Sequence, residues 1–178
     1  MAITETADRA ALLEDLRATR EALRAAIAGL TDLQGKFKPA PDAWSIEDCV
    51  EHLALVENGL LLRLTQEATP SEHIERLERQ AAVRKMGVDR SSKRQAPERA
   101  RPNGRFGSLQ KALDQFVANR EKTIAYLRDC PDDLHARTIT HPILATMTAH
   151  EFVIFMTGHT LRHVDQIREI QQMPGFPA

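Results

Sequence analysis

Residues 148–172 read TAHEFVIFMTGHTLRHVDQIREIQQ, the strongest helix signal in the chain. Thr148 followed by Glu151 has the T-x-x-E form of a capping box, in which two side chains satisfy backbone N–H groups that the first helical turn leaves unpaired. Met147 and Phe152 occupy the flanking positions of a hydrophobic staple. From there Phe152, Met156, His159, His163, Ile167 and Ile170 recur every three or four residues, the period of an amphipathic helix. Pro174 and Gly175 end it near Gln172. A helix this long with one apolar stripe needs other elements to cover that stripe.

Upstream of it, Ser108 opens another helix with Leu109, Leu113, Phe116, Ile124 and Leu127 on one face, stopped by Pro131. The connection between these two helices contains the β-branched piece TITHPI (138–143), which suits an extended strand. Further upstream, Ser45 with Asp48 three residues on is an N-cap signal, with Trp44 and Cys49 at staple positions. The helix it starts runs from Ile46 to about Glu67 through Cys49, Leu53, Val56, Leu60 and Leu64. Before GKFKPAPDAW, whose prolines forbid a continuous helix, a first helix from about Thr6 to Leu30 carries Leu13, Leu16, Leu23, Ile27 and Leu30. Four long helices predict an all-α, four-helix bundle. The segment from Pro70 to Phe106 is a long, mobile excursion between the second and third helices, able to act as a crossover and containing at most a short polar helix.

The composition agrees. Aromatic residues make up only 4%, and Ala, Leu, Arg and Glu dominate, which favours helices over sheets. The 178 residues suit a single domain, 1–178. Lys plus Arg number 24 against 25 Asp plus Glu, so overall charge gives no pull toward nucleic acid. Positive charge gathers locally in Arg79, Arg84, Lys85, Arg90, Lys93, Arg94, Arg99, Arg101 and Arg105. That segment lacks interleaved aromatics for base stacking and is read as solvated. The opening residues MAITETADRA lack a basic start followed by an apolar run, and no apolar stretch reaches membrane-spanning length. A cytoplasmic protein with no membrane partner is expected, with Cys49 and Cys130 as free thiols.

The chemistry lies in the histidines. His159 and His163 are four residues apart, which places both imidazoles on one helical face within reach of one ion. They lie on the apolar stripe and therefore face inward. His52, on the side of the second helix that carries Cys49, Val56 and Gly59, can face inward too. Three buried imidazoles without partners would cost about 1 to 3 kcal/mol per unsatisfied group, and a shared cation satisfies them together. Asp48 and Cys49, one turn before His52, are further candidate ligands, although a small core role suits Cys49 better. Gln166 follows His163 by one turn and could orient a ligand or sit at the bundle edge. His73, His135, His141 and His150 share no spacing and read as surface or loop residues.

PAPDAWSIEDCVEHL (39–53), with a histidine seven residues after the capping serine, resembles the second-helix signature of the DinB-like superfamily, especially its YfiT-like branch. HPILATMTAHEFVIFMTGHTLRHVDQI (141–167), with His159, Arg162, His163, Gln166 and Ile167, resembles the closing segment of that family. Together the two stretches cover about a quarter of the chain. The resemblance implies a four-helix bundle, often dimeric, holding zinc or nickel through residues matching His52, His159 and His163. It also implies, for some members, transfer of a low-molecular-weight thiol such as bacillithiol or mycothiol to a small-molecule substrate. Three protein ligands leave coordination positions open, which suits thiol transfer or metal-dependent hydrolysis. A non-catalytic bundle that holds a metal or ligand is the rival reading.

Overall fold

The computed structural model describes residues 2–91, 95–141 and 144–178, with side chains from Ala7 onward. It is the expected all-α bundle with a small sheet at one end. The long helices are α1 (Ala2–Ile27), α3 (Ile46–Leu62), α5 (Leu109–Asp129) and α6 (Ala149–Gln171), accompanied by the short α2 (Asp32–Lys36) and by α4 (Leu77–Val88). The capping boxes at Ser45/Asp48 and Thr148/Glu151 both form, and Ser108 caps α5. The first helix ends three residues before the expected Leu30, because Gly29 adopts φ 76°, a left-handed turn that glycine takes without steric penalty. The helix expected to reach Glu67 is α-helical only to Leu62 and continues as one wide π turn over Arg63–Glu67. The short α2 is an unexpected element, started by a Thr31/Gln34 capping box.

Each bundle helix carries apolar residues at two levels with a polar step between them. On α1 these are Leu16, then Thr19, then Leu23; on α6, Met156, then Thr160, then Val164. On α3 and α5 the order is reversed: Leu53, Glu57, Leu60, and Phe116, Arg120, Ile124. So α1 and α6 run one way and α3 and α5 the other. α1 and α3 each pack against both α5 and α6, so α1 lies diagonally from α3 and α5 from α6, while α3 and α5, which the excursion joins, run parallel and side by side. The excursion thus acts as a crossover.

The polar level is one connected network. The fully buried Arg120 guanidinium donates to Glu57 Oε1 at 2.8 Å and Oε2 at 2.9 Å, to the Leu16 carbonyl at 3.0 Å, to Thr19 Oγ1 at 2.8 Å and to Thr160 Oγ1 at 2.9 Å. Thr123 Oγ1 donates to Glu57 Oε1 at 3.0 Å. One arginine therefore ties all four long helices. The fork geometry of guanidinium suits this multiple donation.

The excursion is anchored rather than loose. α4 lies along α6 so closely that a Cβ on Gly158 would sit 2.9 Å from the Gly87 Cα. Arg76 and Arg79 pair with the buried Glu151, Arg84 with Asp15, and Arg90 with Glu169. Lys93 and Arg94 lie outside the described residues. The extended piece expected at 138–143 forms β2 (Arg137–His141), paired antiparallel with β3 (Ala145–Thr148) and with the two-residue β1 (Thr69–Pro70). Pro142 and Ile143 lie outside the described residues.

Candidate metal centre

His52 on α3 and His159 and His163 on α6 converge where α3 packs on α6. His159 Nε2 lies 3.3 Å from His163 Nε2 and 3.5 Å from His52 Nε2. The ring nitrogens that could ligate one ion all fall within 4.8 Å of one another. His52 and His163 are buried and His159 half-buried, so His159 is the most exposed of the three. Trp44 closes another side, its ring centroid 4.9 Å from that of His52 and 6.0 Å from that of His163. Phe155 stands 6.1 Å from His159.

The hydrogen bonds on the far sides of two rings settle their tautomers. His52 Nδ1 lies 2.7 Å from the Ala100 carbonyl oxygen, which can only accept, so Nδ1 carries the proton and Nε2 is a bare lone pair. His163 Nδ1 lies 3.0 Å from Gln166 Oε1. Arg90 Nη1 donates to the same Oε1 at 3.3 Å, which requires an oxygen at that position and therefore an N–H at His163 Nδ1. Its Nε2 is a second lone pair, 3.3 Å from His159 Nε2. His159 has one Nε2 proton at most, which can serve only one neighbour. A tetrahedral ion with bonds of about 2.0–2.1 Å holds its nitrogens roughly 3.3–3.4 Å apart, the spacing seen here. The residues present fit a divalent ion.

Of the other expected candidates, Gln166 stands beside the centre, while Asp48 and Cys49 are engaged elsewhere. Gln166 turns its oxygen to His163 and so holds a ring rather than a ligand. Asp48 accepts from the Ser45 N–H and pairs with Lys38 at 3.0 Å. Cys49 is fully buried in the apolar cluster, and burial pushes its thiol up, so it is a core residue and no thiolate. Two histidines expected at the surface are buried instead. His135 is 2% and His150 6% exposed, because His150 turns inward on the first turn of α6 and the turn at Leu134–Ala136 tucks beneath it. His73 and His141 remain only partly covered.

A residue missed in the sequence is Glu51. Its buried carboxylate accepts from the backbone N–H groups of Asn103 at 2.8 Å, Gly104 at 2.9 Å and Arg105 at 3.4 Å. This fixes the end of the excursion beside α3, and with it the Ala100 carbonyl that orients His52. The run E-H at 51–52 was the available signal, but a carboxylate's use by a loop 50 residues later has no local signature.

The sequence profile of the DinB superfamily matches residues 15–167. The chain belongs to the DinB superfamily. A relative is YuaE of Bacillus subtilis (strain 168), an uncharacterized protein, 25% identical over 146 residues that span 82% of this chain and 88% of YuaE. Among solved structures, YfiT from Bacillus subtilis matches with a TM-score of 0.60 at 18% identity, over 95% of this chain and 89% of YfiT. YfiT is described as a probable metal-dependent hydrolase with an unusual four-helix bundle topology. At this identity the likeness is one of fold.

The electrostatics of the cluster predict a pH response. Burial, then the neighbouring His52 and Arg162, hold His159 down at about 3. Burial with His159 and His52 keeps His163 well below the ordinary range, and burial lowers His52 against the opposing Ala100 hydrogen bond. Below a pH of about 6.5 the unfolded chain binds protons that the folded centre refuses. The metal-free protein should therefore lose stability as pH falls from about 6.5 toward 5, above the range where carboxylates titrate. Urea midpoints of chelator-treated protein at three pH values check this, and the slope should flatten in a variant with all three histidines replaced by alanine. A midpoint independent of pH in the parent protein would contradict it.

Proposed function

We propose that the protein is a metal-dependent hydrolytic enzyme whose centre is one divalent transition ion, zinc or nickel, held by His52, His159 and His163. The observation that carries this is the meeting of two fixed lone pairs with a third imidazole at tetrahedral ligand spacing. The description of YfiT as a probable metal-dependent hydrolase supports hydrolysis as the reaction class. A bound divalent ion would supply Lewis acidity, polarising a substrate oxygen and lowering the pKa of a bound water or thiol.

The chain's own residues do the rest. Ala100 and Gln166 fix two rings so that their lone pairs stay aimed at one point, and Arg90 holds Gln166 in turn. Trp44 covers the cluster on the His52 and His163 side and keeps water from that side. Half-buried His159 marks where a small substrate approaches, along Phe155.

The second reading uses the same centre for transfer of a low-molecular-weight thiol. Burial keeps the Cys49 thiol protonated, so in that reading the sulfur is supplied by an external small thiol rather than by this side chain. We further propose a single domain, working as a homodimer in the cytoplasm without nucleic-acid or membrane partners. The ion pairs of Arg76, Arg79, Arg84 and Arg90 support the absence of a nucleic-acid patch. Among the described residues, no helix is long and apolar enough to cross a membrane.

Cobalt substitution tests the proposal. Protein purified without an affinity tag, stripped and reloaded with cobalt, should show a visible spectrum that responds to phosphate or carboxylate ligands, and loading should switch on ester or amide hydrolysis. A saturable sulfur-to-cobalt band with small thiols, without hydrolysis, would move the assignment to thiol transfer. A cobalt spectrum that no added ligand perturbs would show a closed site and overturn both.

A further inference from the structure

We infer that Asp8, His135 and His150 form a second divalent transition-metal site at the opposite end of the bundle, independent of the first centre. His150 and His159 are nine residues apart on α6, which is about 13 Å along the helix. The two clusters therefore cannot share an ion. One potential ligand atom from each of Asp8, His135 and His150 lies within 4.8 Å of the others.

Two buried ring nitrogens of this cluster have no hydrogen-bond partner among the described residues. His135 Nδ1 lies 3.3 Å from the Ile74 carbonyl oxygen, an acceptor, so Nδ1 holds the proton. This is the outer hydrogen bond that metal-ligating histidines commonly make. His135 Nε2 is then a lone pair, buried, without a hydrogen bond, and 3.4 Å from Asp8 Oδ2. A lone pair facing a carboxylate is repulsive unless a cation stands between them. His150 Nδ1 is also buried without a hydrogen-bond partner. The two imidazoles lie nearly parallel, their centroids 4.2 Å apart at 24°.

A proton on His135 would answer Asp8 but leave His150 Nδ1 unsatisfied, at a cost of about 1–3 kcal/mol. A metal ion satisfies all three groups. The spacing of 3.4 Å between His135 Nε2 and Asp8 Oδ2 is long for a hydrogen bond and right for two ligands of one tetrahedral ion. Two imidazoles and one carboxylate suit a first-row transition ion such as zinc.

The surroundings hold this arrangement. Asp133 accepts from the His135 backbone N–H at 2.8 Å and from His73 Nδ1 at 2.6 Å, which fixes the turn that carries His135. Arg9, next to Asp8, donates to the carbonyls of Leu127 and Cys130 at 2.8 Å each. The nearby Arg84 is paired with Asp15. An ion here would fasten the start of α1 to the α5–β2 connection and to the first turn of α6.

The test is zinc stoichiometry on the full chain, by metal analysis after equilibrium dialysis. The parent should bind two equivalents and Asp8→Asn one. The triple variant His52→Ala/His159→Ala/His163→Ala should keep one, and adding Asp8→Asn should remove it. Zinc should also raise the unfolding temperature of the triple variant in a saturable way that Asp8→Asn abolishes. If the triple variant does not fold, the comparison of the parent with Asp8→Asn decides. One equivalent in the parent, unchanged in Asp8→Asn, would overturn the second site and leave the first standing. Two equivalents in Asp8→Asn would overturn it as well.

Discussion

Replacing Arg120 with methionine should destabilise the protein by about 3–5 kcal/mol, the usual consequence of leaving one member of a buried ion pair alone. Glu57 is 2% exposed, and among the described residues Thr123 and Arg120 donate to its carboxylate. Loss of the guanidinium also strips a partner from the Leu16 carbonyl and from Thr19 and Thr160. A second substitution, Glu57→Leu, should recover much of that loss, because an apolar pair of similar volume removes the unpaired charge. Urea unfolding of the two variants and the parent measures both values. A loss below about 1 kcal/mol in Arg120→Met would show that the network contributes little, as exposed pairs do.

The second large effect is on metal affinity. His163→Ala should weaken zinc binding at the first centre by more than about 100-fold, since loss of an outer hydrogen-bonding partner alone costs roughly 10–100-fold and here a ligand itself is removed. Gln166→Leu should fall within that smaller range, because it frees the His163 ring without removing it. The comparison is best made in Asp8→Asn protein, so that only the three-histidine centre is titrated. Helical content should stay unchanged in each variant, as His163 lies on an otherwise well-packed α6 face with Val164 and Ile167. Equal affinity in His163→Ala and its parent would remove this histidine from the centre.

The two effects share a structural cause. Thr160, which accepts from Arg120, is the residue after His159 on α6. Glu57, which holds Arg120 from α3, lies five residues after His52. The buried ion pair thus fixes the level at which α3 and α6 meet, and the three imidazoles sit at that junction. Polar groups between two apolar clusters leave few alternatives for sliding one helix past another, because a shift would strand each of them unpaired.

Much was legible in the sequence because its causes are local. Capping signals depend on residues three apart, and an apolar stripe on residues three and four apart, so Ser45, Ser108 and Thr148 announced the starts of α3, α5 and α6. The pairing of His159 with His163 follows from the same helical period. Their meeting with His52 was an expectation from face and family resemblance, and the structure brings the three rings together.

The remaining features involve partners far apart in the chain. The direction of each helix, the Arg120 network, the anchoring of α4 on Glu151 and Asp15, and Glu51's hold on residues 103–105 all join segments 40 or more residues apart. His135 and His150 read as surface residues because neither lies on an apolar stripe, yet both are buried, since a polar turn and the start of a helix fold over one another. The tautomers of His52 and His163 were likewise set by Ala100 and Arg90, residues of the excursion that carried no site signal. Helical period and capping are properties of a few consecutive residues, so the four long helices and their apolar stripes were legible before any packing was known. Hydrogen bonds and ion pairs between segments depend on which helices become neighbours, and that is decided only when the whole core closes around its buried charges.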